Sequence, residues 1–147
     1  MIGNKSTILL VEDDSIEIDL ARRACELCNP AVQLVVVQDS TEALGWLSKT
    51  SEAKDQFPKL ILLDLKLPHL IGLAVLRRLR MDSATWDLPI IVYSKVHEPQ
   101  DVVLSYQVGA NRFVNKPSDI EQFNALLHEL SDYWLLPRQR KLSLGSV

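Results

Sequence analysis

Acidic side chains gather directly behind apolar runs. Glu12 and Asp13 follow Ile8-Leu9-Leu10-Val11, and Asp64 follows Leu60-Ile61-Leu62-Leu63. Two further groups hold equivalent places, Ser94 after Ile90-Ile91-Val92-Tyr93 and Lys116 after Arg112-Phe113-Val114-Asn115. If the runs are parallel strands of one sheet, their carboxyl ends bring these side chains to one edge, where doubly wound sheets hold ligands. Clustered carboxylates repel one another and desolvate poorly, so they need a compensating cation. An all-oxygen donor set suits a hard ion such as Mg²⁺, which takes few protein ligands and keeps several waters. A carboxylate can accept a phosphoryl group as an acyl phosphate. Mg²⁺ and the Lys116 ammonium would neutralise charge on the phosphoryl oxygens. These residues predict a phosphoaspartate site.

The elements that must position them are legible as short apolar runs. The runs above, with Leu34-Val35-Val36-Val37 as the second in chain order, are strand-length and continuous rather than alternating. Continuous runs describe strands covered on both faces, as in parallel sheets flanked by helices. Helical spacing fills the intervals. The first helix is expected to place Ile16, Leu20, Ala24 and Leu27 inward, with Asp14 and Glu17 as a capping box. The second runs from about Ser40 with Ala43, Leu44 and Leu47 inward, and the third carries Leu73, Leu76 and Leu79. The fourth begins near Glu98-Pro99 and stops at Gly109. The fifth opens on Ser118-x-x-Glu121, read as another capping box, and repeats Phe123, Leu126, Leu127, Leu130 and Trp134. This order predicts an α/β fold, a three-layer (βα)5 doubly wound parallel sheet. Right-handed crossovers make 2-1-3-4-5 the natural strand order, although periodicity alone does not exclude others.

Composition sets the outer bounds. At 147 residues one domain is expected, able to bury roughly 68–70% of its unfolded surface without metal or disulfide. With 47% hydrophobic residues and a net charge of -3, global disorder is excluded. The slight acidity argues against a nucleic-acid partner bound by bulk charge. No apolar stretch approaches the roughly 20 residues that span a bilayer. The start MIGNKSTILLVEDD reaches acid at residue 12 and has no secretory h-region. A small soluble cytoplasmic protein without a membrane partner is expected, with residues 1–136 as the domain and 137–147 as a short C-terminal tail.

The stretches Ile8 to Asp14, Leu60 to Pro68, Ile91 to Ser94 and Val114 to Pro117 resemble the receiver domain of two-component response regulators over about residues 6–134. The five landmarks Glu12, Asp13, Asp64, Ser94 and Lys116 occur in order at strand ends. The resemblance implies a CheY-like, flavodoxin-like fold and makes Asp64 the phosphoacceptor. It implies that Asp13 binds Mg²⁺ directly, Glu12 binds it mainly through water, and the Lys66 backbone carbonyl supplies a further ligand. Ser94 becomes the switch hydroxyl, Lys116 the partner of the phosphorylated carboxylate, and Phe113 the aromatic switch. The Lys116–Pro117 bond is expected to be cis, against the general trans preference. More narrowly, Asp19, Ser105 to Ala110, and Tyr133-Trp134-Leu135 before Pro137 resemble single-domain regulators that partner bacterial phytochromes and related sensor histidine kinases. In that group a prolonged last helix helps form homodimers, and Val102, Tyr106, Trp134 and Leu135 are the expected dimer surface. The chain departs from the family in having Ile71 before Gly72, where an acidic residue is common, and Ser rather than the commoner Thr at 94.

Other features read more plainly. Cys25-x-x-Cys28 has redox spacing but lies within a helix and lacks a second ligand pair for zinc, so core thiols are expected. His69, His97 and His128 are scattered. The basic trio Arg138, Arg140 and Lys141 is too small a cluster for DNA binding. The sequence thus predicts a stand-alone receiver that takes a phosphoryl group from a histidine kinase, loses it by Mg²⁺-assisted hydrolysis, and signals through a protein surface to a downstream partner. Turnover of an external substrate is not expected. The competing reading is a phosphorylation-independent interaction module. A flavin carrier would need a phosphate-cradling loop where this chain has Glu12-Asp13-Asp14, which would repel the flavin phosphate.

Overall fold

The computed structural model describes residues 6–28, 32–53, 56–66, 72–95 and 97–135. His69, Ile71 and the rest of the 67–71 loop, the Cys28 side chain, Leu136 and the 137–147 tail with its basic trio lie outside the described residues. Strands and helices alternate as β1 (Ser6–Val11), α1 (Ser15–Cys28), β2 (Val32–Val37), α2 (Ser40–Thr50), β3 (Leu60–Asp64), α3 (Gly72–Met81), β4 (Ile90–Ser94), α4 (Pro99–Val108), β5 (Arg112–Asn115) and α5 (Ile120–Trp134). All strand pairs are parallel, in the order β2-β1-β3-β4-β5. The fold is the predicted α/β doubly wound sheet. Among the described residues no helix is long and apolar enough to cross a membrane.

Strand alternation divides the core into two layers. Leu9, Val11, Ile61, Leu63, Ile90 and Val92 face one cluster, with Ala43 and Leu47 of α2 and Val75, Leu76 and Leu79 of α3. Ile8, Leu10, Leu60, Leu62, Ile91 and Tyr93 face the other, with Ala21 and Ala24 of α1 and Phe123, Leu126, Leu127 and Leu130 of α5. The continuous apolar runs of β1, β3 and β4 are therefore buried on both sides, whereas those of the edge strands β2 and β5 are only partly buried. Cys25 is buried in the second cluster, its thiol 3.6 Å from the Val32 carbonyl.

Several helix expectations need correction. The inner seam of α1 is Glu17, Ala21, Ala24 and Cys25, whereas Ile16 and Leu27 are 76% and 71% exposed. The two alanines let α1 lie close to α5, and that approach turns the bulkier Ile16 and Leu27 outward. Asp14 does cap α1, accepting from the Ile16 and Glu17 amides. Glu17, however, turns inward to an ion pair with Lys95 at 3.8 Å instead of closing the predicted box. The cap of α5 is Asp119, accepting from the Gln122 amide at 2.8 Å, and the Gln122 side chain returns to the Ser118 amide. The cap is thus one residue later than predicted, and the return bond runs from Gln122 to the residue before the cap, so the predicted box from Ser118 to Glu121 does not form. At the end of α4, Gly109 has φ 131°, a left-handed backbone region that only glycine enters freely.

Candidate functional site

The same alternation builds the site. Glu12 continues the phase of Ile8 and Leu10, Asp64 that of Leu60 and Leu62, and Lys116 that of Val114. All three side chains therefore emerge on the α1/α5 side of the carboxyl edge. Backbone bonds extend the ladder just past the strands: Glu12 N–H donates to Val37, Leu65 N–H to Tyr93, and Lys116 N–H to Ser94. The reactive positions are fixed by sheet hydrogen bonds rather than by loop packing.

Carboxylate oxygens of Glu12, Asp13 and Asp64 lie within 4.8 Å of one another. Glu12 is fully buried and Asp64 is 2% exposed, while Asp13 stands at the solvent rim. The Lys116 ammonium bridges the buried pair, 2.9 Å from Glu12 Oε1 and 3.3 Å from Asp64 Oδ2. Asp64 Oδ1 accepts from the Lys66 amide at 3.0 Å. Burial, and then the neighbouring Glu12 charge, push Asp64 up to about 6, against the opposing pull of Lys116. Burial pulls Lys116 down, but its hydrogen bond to Glu12 and the surrounding carboxylates outweigh this and leave its affinity for the proton raised. A site where Asp64 resists ionisation, and where the one close ammonium among the described residues is shared between two carboxylates, is short of positive charge. The all-oxygen donor set can coordinate a metal ion, and a hard divalent ion fits its chemistry.

Ser94 is fully buried as the last residue of β4. Its phase is that of Ile90 and Val92, and Phe113 packs against the same layer. Phe113 is half-buried, its ring edge-on to His97 at 4.7 Å and its amide donating to the Tyr106 hydroxyl. Lys66 is exposed, with its ammonium 3.6 Å from Asp101 at the start of α4. The Lys116–Pro117 bond is trans, contrary to expectation. The ordinary preference of the X–Pro bond prevails, and Lys116 reaches both carboxylates without the cis form. Of the expected dimer residues, Val102 and the exposed Tyr106 lie on α4. Trp134 and Leu135 pack partly against the α1/α5 layer.

Two residues have roles that the sequence did not assign. Tyr93, a wholly buried strand residue, donates to Glu12 Oε1 at 2.6 Å, and the Lys116 ammonium stands 5.1 Å above its ring. Its phase, shared with Ile91 and facing the same layer as Glu12, is the signal that could have found it. Gly72 is the other. A Cβ there would stand 2.7 Å from the Asp64 carbonyl oxygen and 2.5 Å from that of Leu65. Only glycine lets α3 begin against the backbone that carries Asp64.

Residues 8–128 match the response regulator receiver domain family. Among similar solved structures, the phosphorylated cyanobacterial phytochrome response regulator RcpA has a TM-score of 0.76 at 30% identity, covering 89% of this chain and 94% of that one. The bacteriophytochrome response regulator AtBRR gives 0.69 at 36% identity, over 92% and 99%. Response regulator Rcp1 of Synechocystis sp. is 27% identical over 129 residues, 87% of this chain and 88% of its own.

Proposed function

The chain belongs to the response regulator receiver domain family, and from that premise we propose that Asp64 accepts a phosphoryl group from the phosphohistidine of a sensor histidine kinase. The observation that carries the reading is the convergence of the Glu12, Asp13 and Asp64 oxygens within 4.8 Å, with the Lys116 ammonium 3.3 Å from Asp64. Asp13 and Asp64 would hold Mg²⁺ directly, with Glu12 through water and the Lys66 carbonyl as a further ligand, and the ion would supply charge neutralisation at the phosphoryl oxygens. An Asp64 carboxylate oxygen attacks phosphorus as the P–N bond to the kinase imidazole breaks, and the electron pair leaves with the ring nitrogen. Lys116 turns from the bare carboxylates to the new phosphoryl oxygens, and the Ser94 hydroxyl donates to another. Water later cleaves the acyl phosphate and restores the carboxylate.

The output is a protein surface. Ser94 and Phe113 lie toward one layer of the core, so drawing Ser94 to the phosphoryl group gives Phe113 reason to turn inward and alter the α4–β5–α5 face. The cognate kinase is of the bacterial phytochrome class, a reading supported by similarity to regulators described as phytochrome response regulators. The protein acts in the cytoplasm, and pairs with a second copy through Val102, Tyr106, Trp134 and Leu135.

Intact-protein mass after brief incubation with acetyl phosphate and Mg²⁺ tests the chemistry. One phosphoryl unit is expected on the wild type and none on Asp64→Asn or with chelator. Absence of an adduct on the wild type under conditions that trap slow turnover would replace this reading with a phosphorylation-independent module.

A further inference from the structure

Glu12 is buried and accepts from four donors. A carboxylate offers about four lone-pair sites. Oε2 accepts from the Asp13 and Asp14 amides at 3.2 Å each, and Oε1 from the Tyr93 hydroxyl at 2.6 Å and the Lys116 ammonium at 2.9 Å. Three of these donors are fixed. Two are backbone, and the Tyr93 ring is wholly buried edge-on to Phe123. Lys116 alone has a second partner, Asp64, and it alone is required elsewhere once a phosphoryl group arrives. Its departure would take an ammonium from a carboxylate with no exposure to water, which is costly unless another strong donor stays.

We propose that Tyr93 is a positioning residue for phosphotransfer: its hydroxyl keeps Glu12 oriented and hydrogen-bonded so that Lys116 can leave Glu12 for the phosphoryl oxygens. The inference rests on Asp64 being the phosphoacceptor. Phenylalanine at 93 keeps the ring and its packing while removing the donor. Lys116 then becomes the only side-chain donor to Glu12 among the described residues, the ion pair tightens, and release of the ammonium is disfavoured.

The test is a double-mutant cycle. Initial phosphorylation rates with acetyl phosphate at saturating Mg²⁺ are compared for wild type, Tyr93→Phe, Glu12→Gln and the double variant, together with Mg²⁺ affinity by calorimetry without phosphodonor. Tyr93→Phe is expected to slow phosphorylation about tenfold, the low end of what one hydrogen bond to a charged group is worth. Its Mg²⁺ affinity should stay within about twofold, because the direct ligands Asp13 and Asp64 are untouched and Lys116 still holds Glu12 before a phosphoryl group arrives. In the Glu12→Gln background the same substitution should change the rate less than about twofold, since the bond it removes acts through the Glu12 charge. An unchanged rate, an equal loss in both backgrounds, or a loss of Mg²⁺ affinity in step with the rate would overturn the role of Tyr93. A wild type that takes no phosphoryl group would instead overturn the phosphoacceptor reading, and this inference with it.

Discussion

Charge is handled in opposite ways at the two ends of the sheet. At the amino edge of β4 and β5, Arg80 donates to the carbonyls of Gly109, Thr85, Trp86 and Leu88 and to Asn111 Oδ1. Asn111 Oδ1 in turn accepts from the Ile90 amide. One guanidinium thus ties α3 to the segment before β4 and to the turn between α4 and β5. At the carboxyl edge, Glu12 and Asp64 share one buried ammonium, and Asp13 adds a third negative charge at the rim. Burial works against the charged form of both Arg80 and Asp64. Arg80 nevertheless has its donors matched to neutral oxygens, whereas Asp64 faces a like charge. The first arrangement serves the fold, and the second crowds like charges where their oxygens could coordinate a metal ion.

Substituting Arg80→Ala should test the structural end most severely. It leaves several carbonyls short of a donor, and a loss of about 3 kcal/mol in urea unfolding is expected. Mg²⁺ affinity of the folded fraction should be unchanged; a matching loss there would break the contrast between the two ends. Mg²⁺ should act only at the carboxyl edge, stabilising the wild type by about 2.7 kcal/mol at a hundredfold excess over its Kd. Asp13→Asn should sharply reduce that gain, read from the same unfolding curves.

Asp64→Asn measured in chelator sharpens the charge argument. The folded-state value of about 6 lies above the ordinary 3.8, so ionisation costs the native state more than the unfolded chain. The penalty is absent below pH 3.8, grows as pH rises, and is complete above pH 6. The variant should therefore be more stable than wild type at pH 7.5 by on the order of 2 kcal/mol, and that advantage should vanish near pH ~3.5, where the wild-type carboxyl is protonated in both states. An Asp64→Asn protein no more stable at neutral pH would contradict the charge shortage. The smallest effect sets the baseline: Asp119→Ala removes an exposed helix cap and should cost about 1 kcal/mol in urea unfolding, with no change in Mg²⁺ response.

Much of this was legible in the sequence because continuous apolar runs ending in Asp64 or Glu12 carry both the strand and the site in the same few residues. The runs fixed neither their neighbours' orientation nor the helix faces. Ile16 and Leu27 look like core residues by size, but the α1 seam went to Ala21 and Ala24, since close helix approach is a property of two helices and not of one pattern. Ser118 and Asp119 are both good caps, and only the backbone decides between them. The trans Lys116–Pro117 bond corrects an expectation taken from family resemblance rather than from the residues. Tyr93 was missed for a different reason. A tyrosine in a buried strand reads as packing until the partner of its hydroxyl is known, and that partner, Glu12, is eighty-one positions away.

The bond from the Phe113 amide to the Tyr106 hydroxyl has a consequence for self-association. β5 ends the sheet, so its outer side is where another chain could add as a further strand. Tyr106 occupies one of the outward amides there, and α4 stands guard over the adjoining edge. A free Phe113 amide would offer a template for uncontrolled strand addition. With it capped, that edge offers one site fewer to open-ended strand addition.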